Sequence, residues 1–388
     1  MEVRRRRVID PRLPILYLLT VAIIAFATSR PGWLLGLLGF QVALWLWFRL
    51  PVRALLAIAR RLQWFVLVVI LSFAFFAFEP TDRLLILPLG RWTLEVSLSG
   101  IVRGLLLSSR IATVICASQL IQRVGNPATI VRGLRGLLVP ATIAYSLDLV
   151  LSFLGAEGPR RSRQGHGVGS RGERRPGSVE IFRQLMRGDV GYLVELIRKN
   201  IADARERAEA YGLSPEAVSD LAVITGLGVL TMTVRFVKLL PGLPFAPGHK
   251  SVILLPFYII AYDLTASRWG ATRLGVVIGV TSFLLGEGKF GPFEILRHIA
   301  PGLFIDLIMP TVRRLVPEPG AVVYALVGMG AAVMQVTTVL AVAYFVEAPK
   351  VFYALLLPLV GMNTVFGFLS GFVTFHLMKS VPKLRATL

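Results

Sequence analysis

AVVYALVGMGAAVMQVTTVLAVAYF, residues 321–345, decides the fold class. It holds no charged side chain, and its apolar residues are continuous rather than alternating. Such a run reads as a helix that crosses a bilayer, because a helix satisfies its own backbone hydrogen bonds where there is no water. The alternation of a barrel strand is missing. Comparable runs recur on both sides, so the sequence predicts an all-α, polytopic helical membrane protein. The composition agrees. The chain is 55% hydrophobic and 16% charged, against about 25% charged in soluble domains. Its mean hydropathy is +0.70.

Around that run lie further apolar stretches at residues 221–240, 252–266, 274–285, 295–309 and 352–378. Arg268, Arg273, Arg313, Arg314, Lys379, Lys383 and Arg385 fall on the loops that alternate to the inside. The loops near 241–250, 286–294 and 347–350 hold fewer arginines and are expected outside. Nearer the start, residues 15–28, 33–48, 64–78 and 98–121 form a second group of spans. Arginines crowd residues 1–14, and Arg49, Arg53, Arg60 and Arg61 crowd the next inner loop. Residues 79–97 make an outer loop of mixed charge. The total is about ten spans, with both termini inside. Residues 137–154 are apolar but flanked by Arg123, Arg132 and Arg135 on one side and Arg160, Arg161 and Arg163 on the other. They also contain Pro140 and Asp148. Residues 126–154 are therefore expected to be two cytoplasmic helices against the membrane base. An uninterrupted first apolar run with no small-residue cleavage site predicts no cleaved signal peptide. The single cysteine, Cys116, cannot form an internal disulfide. A net charge of +20 on such a chain points to inner loops and anionic lipid, not to nucleic acid.

Residues 155–213 are the longest polar stretch. GAEGPRRSRQGHGVGSRGERRPGS has too much Gly, Arg and Ser to pack a core. A helical pattern follows: Leu193, Ile197, Ile201, Ala204, Ala208 and Tyr211 share one stripe. Glu195, Arg198, Lys199, Asp203, Arg205, Glu206 and Glu209 lie mostly off it. Gly212 reads as a helix stop, Ser214 as the next cap and Pro215 as a first-turn residue.

Several constellations bear on chemistry. Gly242 to Gly248, followed by His249-Lys250-Ser251, superficially suggests a phosphate loop. That loop needs four residues between its glycines and Lys directly after the second. Here five intervene and His precedes the Lys, so ATP, if used, is hydrolysed on other chains. No catalytic residue and no cofactor is expected. Glu294 and His298 share a helical face at a spacing that can hold a metal, and His249 and Glu287 lie on outer loops. Water-exposed rim groups are the plainer reading, and no metal is expected. Gln335, Asn363 and Asp263 lie within spans, where a polar group is costly unless paired. Interhelical hydrogen bonds worth about 0.6 kcal/mol each are the plainer account. Ala222, Gly226 and Gly228 offer a small-residue face for close helix contact.

The order of features in residues 1–215 resembles the transmembrane T component of energy-coupling factor transporters, the CbiQ type. A basic start precedes Asp10-Pro11-Arg12. Spans follow, then Val124-Gly-Asn-Pro-Ala-Thr-Ile-Val-Arg-Gly-Leu-Arg-Gly-Leu-Leu-Val-Pro-Ala and a long polar helical region. The resemblance implies cytoplasmic coupling helices within residues 126–212 and two short motifs, small residue-Arg-Gly, that each dock an ATPase subunit. The first falls on Ser170-Arg171-Gly172. The second falls on Ala210-Tyr211-Gly212, where Tyr replaces Arg, and Arg207 lies one turn before it. Residues 216–388 resemble the substrate-binding S component through their six spans, Pro/Gly-rich first outer loop and glycines at 275, 279, 286 and 288. Together these imply an ATP-driven importer of a vitamin, vitamin precursor or metal ion in a prokaryotic cell (inner) membrane. Its partners would be two ABC-type ATP-binding subunits, a small-molecule substrate and anionic lipid. His249, Glu287, Lys289, Gln335 and Asn363 are the expected substrate contacts. A membrane scaffold with a basic lipid- or partner-binding loop, or a secondary transporter, remain the other readings.

Overall fold

The structure is a computed structural model that describes residues 10–76, 84–89, 92–124, 127–137, 139–156, 190–236, 250–285, 293–345 and 350–382. The described residues are overwhelmingly helical. In chain order the helices are α1 (Leu13–Ala27), α2 (Pro31–Trp47), α3 (Val52–Phe76), α4 (Leu98–Val124), α5 (Pro127–Gly136), α6 (Ala141–Ala156) and α7 (Val190–Glu209). Then come α8 (Pro215–Phe236), α9 (Ser251–Leu264), α10 (Gly270–Leu284), α11 (Phe293–Leu315), α12 (Ala321–Phe345) and α13 (Lys350–Met378). Among the described residues six helices are long and apolar enough to cross a membrane: α3, α4, α8, α11, α12 and α13. Helices α1, α2, α6, α9 and α10 are shorter and also apolar. The all-α, polytopic reading holds.

The structure differs from the expectation in more than one place: α3 already begins at Val52, so Arg53, Arg60 and Arg61, expected on a loop, lie on a helix. The segment expected to be an outer loop contains an antiparallel hairpin, β1 (Leu84–Leu89) with β2 (Trp92–Ser97), in register from Leu84 opposite Ser97 to Leu89 opposite Trp92. Leu, Ile, Val, Thr and Trp give these segments the β-branched and aromatic content of strands. A search for long apolar helices passes over runs this short.

Packing groups the chain into two compact units. The first lies within residues 1–139, 283–294 and 340–357 and the second within 140–282, 295–339 and 358–388. In the first unit α4 is the hub, lying against α1, α2 and α3. Its inner positions Val114, Ala117 and Leu120 are buried. The Arg110 guanidinium donates to the Thr28 carbonyl at 2.8 Å, and the Tyr17 hydroxyl donates to Gln41 Oε1. Outer faces of α1 to α3 carry exposed Trp33, Trp47, Trp64 and Leu56, the apolar surface that lipid requires.

In the second unit α8 is central. Leu221, Ala222, Val223, Ile224, Leu227 and Met232 are fully buried. A helix buried on every side has protein neighbours all round, here α6, α7 and α9. Helices α12 and α13 meet backbone to backbone at Gly328 with Gly367 and Ala325 with Gly371, a close approach that small residues permit.

Candidate coupling site

The polar helix expected after residue 179 is α7, and its apolar stripe is its buried face. Leu193 is 1% exposed, and Ile197, Ile201, Ala204 and Ala208 are 0% exposed. The partner is α8. A Cβ on Gly226 would lie 2.8 Å from the Ile201 amide nitrogen and 2.9 Å from its Cα. That position accepts only hydrogen because the two backbones touch there. The opposite face of α7 is charged and exposed. Arg198 Nη2 donates to Glu195 Oε1 at 2.8 Å, and Arg205 Nε lies 3.5 Å from Glu209 Oε1.

The C-terminal end of α7 is built from local rules. Gly212 has φ +64, the left-handed conformation that ends helices without strain. The Tyr211 and Gly212 amides donate to the Ala208 and Glu209 carbonyls. Ser214 then starts α8: its Oγ accepts from the Ala217 amide at 3.4 Å and its carbonyl from the Val218 amide at 2.9 Å. Pro215 is in the first turn, where its missing N–H costs nothing. The α7–α8 connection is therefore a tight helical hairpin.

Tyr211 and Arg207 both engage α6. The Tyr211 hydroxyl donates to Asp148 Oδ2 at 2.9 Å. Its ring lies 4.0 Å from that of Tyr145, tilted by 33°. Arg207 sits with its guanidinium carbon 4.1 Å from the Phe153 ring centroid, a cation–π geometry. Burial holds the Tyr211 phenol well above the usual tyrosine range. The hydrogen bond to the Asp148 carboxylate and its charge add to this, and the Arg207 charge offsets it only in part. The phenol is a donor at every physiological pH.

Arg171, Gly172, His249, Glu287 and Lys289 lie outside the described residues, as does the side chain of Glu294. His298 is buried, 4% exposed, within α11. Among the described residues no group of three or more His, Cys, Asp or Glu could hold a metal. Gln335 is in α12, with its Oε1 buried and without a hydrogen-bond partner. Asn363 is in α13, 4% exposed, its Nδ2 donating to the Leu359 carbonyl at 2.8 Å. The antiparallel register of α12 and α13, with Ala332 against Gly367, puts these two amides at the same level of the pair.

Sequence reasoning missed a set of carboxylates at one end of the second unit. Asp220 in α8 accepts from the Ala266 amide at 2.7 Å and from Arg273 Nη1 at 3.2 Å. Asp306 in α11 accepts from the Ala271 amide at 3.2 Å and the Thr272 amide at 2.7 Å. Asp263 is bonded by Arg313, whose guanidinium also lies 5.6 Å from the Tyr262 ring centroid. Only Asp263 was conspicuous in the sequence, as an acid within an apolar run. The partners are 34 to 53 residues away, beyond any local pattern.

Residues 2–155 match the family model described as CbiQ, cobalt transport protein. No curated protein and no solved structure matches the chain. This part of the chain is therefore similar to a family of membrane transport proteins.

Proposed function

We propose that this chain, CbiQ-like over residues 2–155, is the membrane subunit of an ATP-driven importer of the energy-coupling factor type. In this reading residues 1–215 are a T component and residues 216–388 an S-component-like substrate-binding part. ATP is hydrolysed on two separate ABC-type subunits in the cytoplasm of a prokaryotic cell, where both termini of this chain also lie. The cargo is a vitamin, a vitamin precursor or a metal ion, and Gln335, Asn363, His249, Glu287 and Lys289 are its candidate contacts. The observation that carries the reading is α7, which joins the half with the family match to the half without it. One face is wholly buried against α8 and the other is charged and exposed. A soluble partner that pushes on the charged face displaces α8 with it.

Arg171 and Gly172 are the first docking motif, and Arg207, Tyr211 and Gly212 the second. A guanidinium at a helix end gives a directional, charge-assisted anchor to carboxylates that Lys reproduces poorly. Arginines in residues 157–189 also attract anionic lipid, at about 1 kcal/mol per charge near the surface. The test is affinity purification of the full chain from its native membrane. Two ABC-type ATPases are expected with the wild type and a reduced yield of them with Arg171→Ala. Recovery of the chain with no ATPase sinks the reading.

A further inference from the structure

The carboxylates at one end of the second unit do more than satisfy stray donors. The loop of residues 265–269 connects α9 to α10 and exposes Arg268 and Trp269. Such a loop can leave its amides to water. Instead the Ala266 amide is bonded to Asp220 from α8, and the first amides of α10 are bonded to Asp306 from α11. Asp220 and Asp263 are 7% and 5% exposed at their side chains, while their partners Arg273 and Arg313 are 28% and 36% exposed. Burying a carboxylate beside a half-exposed arginine adds little net stability. It does fix position, because removing the arginine leaves a buried carboxylate uncompensated. Asp220 and Asp263 tie α8 to α10 and α9 to α11 in this way, and Asp306 ties α11 to the start of α10 through backbone amides at the same end.

Asp220 stands where this frame meets α7. Helix α7 grips α8 at Gly226, and the link between them is residues 210–214. Asp220 lies between that link and Gly226. It is the α8 side chain that holds both the α9–α10 loop and the first turn of α10, through Ala266 and Arg273. We propose that Asp220 is a positioning residue for coupling, joining the α7–α8 hairpin to the α9–α10 loop as one rigid body. A displacement of α7 then arrives at α10 without being absorbed in a hinge. The importance of that displacement for uptake rests on the importer reading above, whereas the rigid joint does not.

Two measurements separate these. In the first, spin labels on Glu206→Cys in α7 and Arg268→Cys in the loop report their distance distribution in the purified full chain. Cys116 is buried and stays in place. One narrow distribution is expected, and Asp220→Ala and Arg273→Met each broaden it. An unchanged width in both variants overturns the proposal, whether or not any ATPase binds. In the second, the chain is reconstituted with the ATPases that co-purify with it. Asp220→Ala is expected to retain their binding and hydrolysis while cargo taken up per ATP falls about tenfold, a typical size for a coupling between sites. Asp220→Asn keeps an acceptor for the Ala266 amide and is expected to recover part of the loss. A merely structural role lowers binding, hydrolysis and uptake together, and that result also overturns the proposal. Failure of the wild-type chain to bind ATPases sinks the importer reading alone.

Discussion

Tyr211 shows how one substitution redirects a motif. By resemblance the position calls for an arginine that reaches out to a partner. The tyrosine turns inward, donating to Asp148 and stacking on Tyr145, while Arg207, one turn earlier, stays exposed over Phe153. The departure from the motif was legible in the sequence. Its consequence was not, because Asp148 is 63 residues away. Tyr211→Phe is expected to cost about 1.5–3 kcal/mol, the worth of a hydrogen bond to a charged group, read as a lower denaturant midpoint. The raised phenol pKa has a sign that can be checked. Neutral Tyr211 is favoured in the folded state, so its contribution is whole below about pH 10, where an unfolded tyrosine begins to ionise. It is lost as pH rises toward the folded value. In an ultraviolet phenolate titration of the native chain, the phenolate step that Tyr211→Phe removes should be a late one. Asp148→Leu should bring that step to lower pH.

Helix α7 was legible almost residue by residue, because a stripe repeating at helical spacing is a local property. Every apolar position from Leu193 to Ala208 on that stripe is buried. What it packs against was not local, although Gly226 gave the hint as part of a small-residue face on α8. Gly226→Ala puts a methyl 2.8–2.9 Å from the Ile201 backbone. Two helices cannot both keep their paths at that distance. Overpacking of this kind costs about 1–3 kcal/mol and should lower the thermal midpoint. Gly36→Ala is the control. Nothing lies within 4 Å of its built Cβ, and a glycine in a helix gains about 0.5–1 kcal/mol on becoming alanine. Equal midpoints for the two variants would show that α7 does not rest on α8 at this contact. The β1–β2 hairpin marks the opposite case. Its six-residue strands are too short to stand out against helices several times longer.

For the molecule as a whole, the polytopic helical class followed from hydropathy, whereas the grouping of helices into two units did not. Orientation rests on a separate argument, the placement of arginine. The structure supplies a geometric companion to it. Asp220 at the start of α8, the α9–α10 loop with Arg273, and Arg313 at the end of α11 are joined by hydrogen bonds. Asp306 from α11 holds the start of α10. Arg273 and Arg313, which charge assigns to one side of the membrane, are thus at one end of the second unit. The α7–α8 link belongs to the same end, since α8 begins at Pro215 and reaches Asp220 within two turns. Charge therefore predicts that this whole end faces the cytoplasm. Single cysteines at Arg268, Glu318 and Glu347 test it with a membrane-impermeant maleimide. Glu347→Cys should label in intact cells. Arg268→Cys and Glu318→Cys, both exposed in the structure, should label only after the membrane is permeabilised. Labelling of Arg268→Cys from outside would invert the chain. The charged face of α7 would then be on the side without ATP, and no cytoplasmic ATPase could reach it.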